Sequence, residues 1–448
     1  MKNRIKITAI ITATLLALST TACRPASAPS PEPTTSGGTD RATVFSVSAA
    51  DMSQLLSNLP DDVESYKIII TDPSPDLSIV ASAIKSNNKK VFLDLSLCTG
   101  LTSIPFYVFY RCVNMINFSL PPTVTTIEGM AFYGCDGLTK VVIPDSVQII
   151  GFQAFDESAN LETVIIGNGV TTIGDFAFQW CPKLTYVQFG NSITHIGSNA
   201  FYKSNVTGKI RLPESLELIR DGAFTDTKVT EIFIPASVKN IDGILHKTAK
   251  YVVDSNNTVY KSIDGNLYSK DGKILYRCAQ VNGSFSIPNT VTKLNRAAFY
   301  GLDLTEVIIP NSVTYIGDST FSGCSKLDNV VLPDTVTYLG SDAFCECSSL
   351  KNIVLSSTLT RLEFACFYKC SSLESITIPS NINHIGTWAF NTCPKLTSVT
   401  FANPEGWSYH ESNSSTIDTT FSKTDLQDTS IAAKYLSQDY FQFTWERQ

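Results

Sequence analysis

The chain has 448 residues, of which 43% are hydrophobic and 17% are charged, and its formal net charge is −7. This apolar content is ample for a hydrophobic core, and an acidic balance without a basic stripe argues against nucleic acid as a partner. The length would allow two or three ordinary domains, but a repeat along most of the chain favours one elongated body.

The first 22 residues are typical of an export signal. Basic residues at the start precede a short apolar segment, and small residues then lead to Cys23. The apolar segment is too short to span a membrane as a helix. The ending Thr20-Thr21-Ala22-Cys23 resembles the bacterial lipoprotein signal, which implies removal of residues 1–22 and acylation of Cys23, although its commonest form has Leu at the position of Thr20. An ordinary secretory signal with an incidental cysteine is the alternative.

Two short regions separate this signal from the repeats. Residues 23–42 are rich in Pro, Ser, Thr and Gly and lack an apolar pattern, which predicts a lipid-anchored flexible tether. Residues 43–95 are predicted to form an α/β N-terminal cap. Its expected elements are a helix ending at Leu59, a strand over Tyr66–Thr71 and a second helix over Leu77–Lys85.

A block of about 23 residues then repeats over residues 96–403, and one phenylalanine marks its phase. The phenylalanines of this series are Phe109, Phe132, Phe155, Phe178, Phe201, Phe224, Phe299, Phe321, Phe344, Phe367 and Phe390. A fixed period in this range is the signature of a solenoid, in which each coil covers the apolar face of its neighbour. The sequence therefore predicts a β-rich solenoid.

Each coil has the pattern of a short strand followed by a corner. Val141 and Ile143 alternate with outward residues in one such strand, and Pro144 ends it because proline has no N–H to donate. Gly151 and its equivalents are predicted to turn a corner with positive φ. The run around the Ala-Phe pair is predicted to form a turn of 3₁₀ or α helix. Stacked coils would then align their strands in a parallel ribbon.

The repeat is interrupted once and lost at the end. One coil is degenerate, with His246 near the phenylalanine position, and Asp-Gly pairs separate strand-like runs within residues 250–285. Asp-Gly between alternating runs is a strong hairpin signal, so we predict a three-stranded meander that protrudes from the solenoid. Residues 404–448 are predicted to form a C-terminal cap with a helix over Leu426–Tyr435 and a strand over Tyr440–Trp445.

The unit LxxIxIPxxVxxIGxxAFxxC resembles the leucine-rich repeat of BspA-like bacterial surface proteins, known from treponemes and oral Bacteroidota. The Ala-Phe pair occurs in eight of eleven clear copies, and the N-terminal cap and the tail around GWSY and AAKYL look like those of treponemal members. The resemblance implies a right-handed leucine-rich-repeat solenoid on the outer membrane or cell surface. It also implies adhesion to host matrix proteins such as fibronectin, or coaggregation with other bacteria. A periplasmic structural scaffold without an extracellular ligand is the alternative.

Cysteines form a ladder three residues after the phenylalanine. Its members are Cys112, Cys135, Cys181, Cys324, Cys347, Cys370 and Cys393. Coils about 4.8 Å apart hold equivalent Cβ atoms farther apart than a disulfide prefers, so we predict small, buried, reduced thiols. A zinc site at Cys345, Cys347, Cys366 and Cys370 is disfavoured because CxxC pairs and partner histidines are absent.

The sequence shows none of the familiar catalytic motifs, such as GxSxG, a Walker A loop or HExxH. Four histidines are scattered, and no Ser or Cys nucleophile has a matching base. We therefore expect no enzymatic activity, cofactor or metal.

The outward strand positions are the most informative place to seek a binding face. One outward column, from Ser119 to Thr400, is unusually apolar for an exposed surface, although β-branched residues also simply suit strands. A ligand-binding face is predicted where aromatic and basic residues cluster as hot spots do. The residues of this prediction are Tyr186, Lys209, Arg211 and Phe233.

Acylation of Cys23 can be tested directly. Cys23→Ser removes the sulfur that would carry the lipid, and the protein should move from the membrane fraction to the soluble fraction of lysed cells. Unchanged partitioning into detergent would show that Cys23 is not the anchor.

Overall fold

The computed structural model describes residues 43–243, 249–279, 282–410 and 419–447. Within these ranges the chain forms a β-solenoid of stacked parallel strands with little helix. The predicted export signal, the tether with Cys23, and His246 lie outside the described residues.

The N-terminal region alternates strands and helices. Its elements are β1 (Thr43–Val47), α1 (Met52–Asn58), β2 (Tyr66–Ile70), α2 (Leu77–Lys85) and β3 (Val91–Asp94). The Asp76 side chain caps α2 by accepting a hydrogen bond from the Ser78 N–H. The three strands are parallel in the order β1-β2-β3, and β3 pairs with the first long strand of the repeats. This region therefore continues the stack directly.

Each coil then contributes one short strand, a turn that carries the phenylalanine, and one long strand. Even-numbered strands are short and odd-numbered strands are long in this part of the chain, which contains β4 (Ser103–Ile104), β5 (Met115–Ser119), β6 (Thr126–Ile127), β7 (Lys140–Ile143), β8 (Ile149–Ile150), β9 (Thr163–Ile166), β10 (Thr172–Ile173), β11 (Tyr186–Gln188), β12 (His195–Ile196), β13 (Thr207–Arg211), β14 (Leu218–Ile219), β15 (Lys228–Ile234), β16 (Asn240–Ile241) and β17 (Lys250–Val253). The solenoid thus has a short-strand face, a turn face and a long-strand face.

The meander follows, and the coils then resume. Its strands are β18 (Tyr260–Ile263), β19 (Asn266–Ser269) and β20 (Ile274–Arg277). The later coils contain β21 (Gly283–Ser286), β22 (Lys293–Leu294), β23 (Leu304–Ile308), β24 (Tyr315–Ile316), β25 (Asn329–Val331), β26 (Tyr338–Leu339), β27 (Asn352–Val354), β28 (Arg361–Leu362), β29 (Ser375–Ile378), β30 (His384–Ile385) and β31 (Ser398–Phe401).

The meander is part of the stack, and the prediction that it protrudes is wrong. β18, β19 and β20 pair antiparallel, but β20 also pairs in parallel with β22 and so begins the second ladder of short strands. The hydrophobic core divides at β19, between Leu267 and Tyr268. The guanidinium of Arg277 is buried there and donates hydrogen bonds to the carbonyls of Ala297 and Tyr300. These bonds join the meander to the following coil.

The C-terminal cap differs from the prediction in its boundaries. It contains β32 (Trp407–His410), β33 (Thr419–Thr420), α3 (Lys423–Gln427), α4 (Thr429–Lys434), a π-helix (Tyr435–Asp439) and β34 (Thr444–Arg447). Asp428 divides the predicted single helix because its carboxylate caps α4 at the N–H groups of Ser430 and Ile431. The strand begins at Thr444 and pairs antiparallel with both β30 and β32.

The phenylalanine series forms the centre of the core, as predicted. All eleven rings are fully buried. Within each half of the molecule, successive rings stack with centroids 5.1–5.7 Å apart. Each ring inside a series is therefore packed by the equivalent rings of the coils on either side, and each ring at the end of a series by one such ring.

The prediction of positive φ at Gly151 and its equivalents is wrong. Positive φ occurs instead two residues before and two residues after each phenylalanine, for example at Gln153 (52°) and Glu157 (57°). Gly151 is needed for a different reason, since a Cβ there would lie 2.7 Å from the carbonyl carbon of Glu128 in the preceding coil. Close approach of two backbones selects this glycine.

The same two positions explain why the turn face is not helical. A right-handed helix cannot continue through residues with positive φ. The N–H groups of Gln153, Phe155 and Glu157 donate instead to carbonyls of the next coil, at 2.8–3.0 Å. The turn face is thus a row of turns bonded along the solenoid axis, where the sequence predicts 3₁₀ or α turns.

The cysteine ladder is buried and reduced, as predicted, and it has a hydrogen-bonding role. The eleven cysteines of the described ranges are free. The Cys135 thiol donates to the carbonyl of Phe109 in the preceding coil at 3.1 Å, and Cys347 and Cys370 make the equivalent bonds. Burial raises the pKa of the Cys112 thiol to about 12, so this sulfur stays protonated and unreactive.

Phe178→Ala should lower the free energy of unfolding by about 3–5 kcal/mol, because it leaves a cavity between two stacked rings. Thermal unfolding followed by circular dichroism measures the effect. Trp180→Ala is the matched control in the same turn, where the indole is 47% exposed, and it should cost clearly less than Phe178→Ala because it leaves no enclosed cavity. Equal losses would contradict the central role of the ring stack.

Asp156 is a buried acid on the turn face. Its Oδ2 accepts a hydrogen bond from Gln153 at 2.6 Å, while Oδ1 has no hydrogen-bond partner. Burial raises the pKa of this carboxyl from 3.8 to about 6. Because the folded state holds the proton more tightly than the unfolded state, ionisation of Asp156 weakens folding as the pH rises from about 4 to about 6.

Asp156→Asn should therefore stabilise the protein by about 2–3 kcal/mol at about pH 7.5, and by little at about pH 4. Denaturant unfolding of both proteins at the two pH values measures the difference. A stabilisation that is the same at both pH values would show that the carboxyl is not the cause.

Candidate protein-binding surface

The long-strand face is broken between β11 and β13. Strands β7, β9 and β11 pair in continuous register, and β13, β15 and β17 form a second paired set in which the register of β13 with β15 shifts once. In the described chain, one backbone hydrogen bond joins the two segments, from the Thr207 N–H in β13 to the carbonyl of Thr185, just before β11, at 3.4 Å. A cleft opens where the rest of the ladder is missing.

An irregularity in the pairing of β13 with β15 lies beside the break, where Thr230 of β15 is left without a partner. The register shifts between Gly208 and Lys209, and Gly208 has a φ of +78°. A Cβ on Gly208 would have no atom within 4 Å, so this bulge faces open space. The core is also less well covered on the other side of the cleft. Val187 in β11 is half-buried, whereas the equivalent Val164 in β9 is fully buried.

The cleft brings together three of the four predicted binding residues. Tyr186 lies on one wall, and Lys209 and Arg211 lie on the other, around a volume of about 380 Å³. Phe233 is outside the cleft but adjacent to it, with its ring centroid 3.9 Å from the Arg211 guanidinium carbon. This cation–π contact holds the Arg211 guanidinium against the Phe233 ring.

Both basic residues of the cleft have acidic partners. The Lys209 Nζ lies 3.2 Å from Glu231 Oε1, and the Arg211 Nη2 lies 2.7 Å from Glu214 Oε1. These exposed ion pairs contribute little to stability and can exchange for other partners. The cleft therefore presents paired charges beside the exposed Tyr186 ring, and it is not a free basic patch.

A second candidate surface was not assigned by the sequence prediction. Ile308, Val331 and Val354 occupy equivalent outward positions of β23, β25 and β27 and are 52%, 62% and 57% exposed, and Val331 pairs with Val354. A cleft of about 540 Å³ lies between β23 and β25, and Ile308 and Val331 both line it. The apolar outward column was the available signal, but strand propensity explains such a column equally well until exposure is known. We call these three residues the apolar strip.

The structure offers little catalytic or metal-binding geometry in the part that it describes. Within those ranges, no three His, Cys, Asp or Glu side chains are arranged to hold a metal ion. His384 and His410 flank Glu446 at 3.4 and 3.6 Å and hold β34 in the C-terminal cap. Burial lowers the pKa of His384. None of the described helices has the length and hydrophobicity needed to cross a bilayer.

The repeats match a known protein family. The family described as the BspA type leucine-rich repeat region matches in six copies, over residues 102–207, 125–253, 292–414 and 321–444. A solved leucine-rich repeat protein from Eubacterium ventriosum is similar with 27% identity and a TM-score of 0.56. The similarity covers 59% of this chain and 73% of that one.

Two further solved structures are similar. A leucine-rich cell surface protein from Faecalibacterium prausnitzii shares 28% identity over 63% of this chain and 77% of that chain, with a TM-score of 0.43. The pneumococcal vaccine antigen PcpA shares 23% identity over 64% of this chain and 62% of that chain, with a TM-score of 0.40. A comparison with curated proteins finds no match.

Proposed function

Because the chain belongs to the BspA-type leucine-rich repeat family, we propose that it is a non-enzymatic cell-surface protein that binds a protein partner through its long-strand face. The observation that carries the proposal is the cleft between β11 and β13. It exposes the Tyr186 ring next to Lys209 and Arg211. Aromatic and arginine side chains are the residue types that most often dominate binding energy in protein interfaces.

The proposed partner is a host extracellular-matrix protein or a surface protein of another bacterium. An acidic side chain of the partner could replace Glu214 on Arg211, since the existing pair is exposed and weak. Acylation of Cys23 would hold the protein in the outer membrane, with residues 23–42 as the tether between lipid and solenoid. Many copies on one cell would turn weak individual contacts into firm attachment.

Binding to a panel of immobilised matrix and bacterial surface proteins tests the proposal. The probe is the chain from residue 23 onward with Cys23→Ser, so that no lipid contributes. One variant replaces Tyr186, Lys209, Arg211 and Phe233 with alanine. The matched variant replaces Ile308, Val331 and Val354 of the apolar strip with serine and leaves the cleft intact.

Saturable binding should fall at least about tenfold in the cleft variant and remain in the strip variant. The reverse pattern would move the partner to the apolar strip. Binding to nothing on the panel, together with a chain that resists protease on intact cells but not on broken cells, would favour the periplasmic scaffold. Circular dichroism confirms that each variant is folded.

A further inference from the structure

The turn face carries a patch of exposed aromatic rings near the N-terminal end. Phe106, Tyr107 and Phe152 are 58%, 43% and 45% exposed. The Phe106 and Tyr107 rings touch with centroids 4.6 Å apart, and Tyr107 continues to Tyr110 at 5.0 Å. We call the group formed by Phe106, Tyr107, Tyr110, Tyr133, Phe152 and Phe176 the N-terminal aromatic patch.

Successive coils build the patch from equivalent positions. Phe106 and Phe152 both stand three residues before a core phenylalanine, and Gly129 occupies that position in the coil between them. A Cβ on Gly129 would lie 2.8 Å from the Phe106 ring, so the missing side chain lets this ring lie against the backbone. Phe152 then contacts Phe176 edge to face at 5.7 Å. The result is two groups of aromatic rings on neighbouring coils, one around Phe106 and Tyr107 and one at Phe152 and Phe176, with Gly129 between them.

Charges lie at the rim of this patch. A groove of about 690 Å³ separates α2 from the Phe106 turn, and its polar lining consists of Lys85, Asp76 and three serines. On the other side, Arg111 lies over the Tyr110 ring at 5.4 Å and pairs with Glu157 at 3.5 Å. Exposed aromatic rings with cationic side chains at their edge are the side chains favoured at a membrane–water interface.

The position of the patch along the chain also favours a membrane as its partner. Coils are spaced by about 4.8 Å, which places the patch about 15–25 Å along the axis from β1. The 20 residues from Cys23 to Thr43 would span about 25 Å on average as the proposed tether. Phe364 and Trp388 form a comparable exposed pair on the turn face, with centroids 5.4 Å apart. That pair is about 65–70 Å from β1, and so it is far from the lipid.

We propose that the N-terminal aromatic patch inserts into the headgroup region of the bilayer that holds the lipid anchor. The ligand class is a zwitterionic phospholipid surface, because the patch contacts it through uncharged rings. Seated in this way, the solenoid would lie with its first coils against the membrane and its later coils farther away. The inference rests on the proposed anchoring at Cys23 only for bringing the patch close to the bilayer.

Co-sedimentation with vesicles of phosphatidylcholine and phosphatidylethanolamine tests this proposal on the chain from residue 23 onward with Cys23→Ser. The patch variant is Phe106→Ser, Tyr107→Asn and Phe152→Ser. Tyr107 has a φ of 64°, and asparagine tolerates this conformation better than most residues. The matched control is Phe364→Ser and Trp388→Asn, because Trp388 has a φ of 61° in the equivalent position.

The unlipidated chain should bind the vesicles, and the patch variant should lose binding about tenfold or more while the control variant retains it. Failure of the unlipidated chain to bind, or equal binding by both variants, would overturn the proposal. Self-association in sedimentation velocity that the patch variant abolishes, without vesicle binding, would assign the patch to a second copy of the chain.

The vesicle experiment and the cell-fractionation experiment test separate claims. Cell fractionation of Cys23→Ser reports on the lipid anchor, whereas vesicle binding uses a protein without lipid. The panel experiment on the cleft variant reports on the protein partner. Each of the three ideas can therefore fail while the other two stand.

Discussion

The whole structure depends on contact between equivalent residues of successive coils. Each phenylalanine ring stacks on the ring of the next coil, and its own N–H donates to a carbonyl of that coil. The thiol three residues later donates to the phenylalanine carbonyl of the coil before. Packing and hydrogen bonding thus act along one axis, so a coil is stable only between two neighbours.

This dependence explains which parts of the fold the sequence could predict. The inward residues of strand and turn recur at one period, so Phe155, Val141 and Ile143 could be placed in the core by counting alone. The helix α2 was also predictable, because its apolar spacing and its start after Asp76 are local signals. Both kinds of signal, local patterns and strict repetition, can be read from a single sequence.

Other features depend on contacts that a single sequence does not display. Gly151 looks like a residue chosen for its φ, but the constraint on it is the backbone of another coil. The meander looks like an insertion, yet β20 has the position of a short strand and pairs accordingly. For the candidate site, Tyr186 and Arg211 were predictable as residue types. The cleft between them was not, because it depends on the missing pairing of β11 with β13, next to the register shift at Gly208.

The axial hydrogen bonds of the turn face give the molecule a direction. N–H groups at equivalent positions, such as those of Phe155 and Phe178, donate towards the C-terminal end. The last coil therefore needs an acceptor, and the carbonyl of Phe441 in the C-terminal cap accepts from the Trp388 N–H. The two ends of the stack are chemically different, and neither cap could serve at the other end. Whole coils can accordingly be gained or lost from the interior, and the molecule can change in length without any change at its ends.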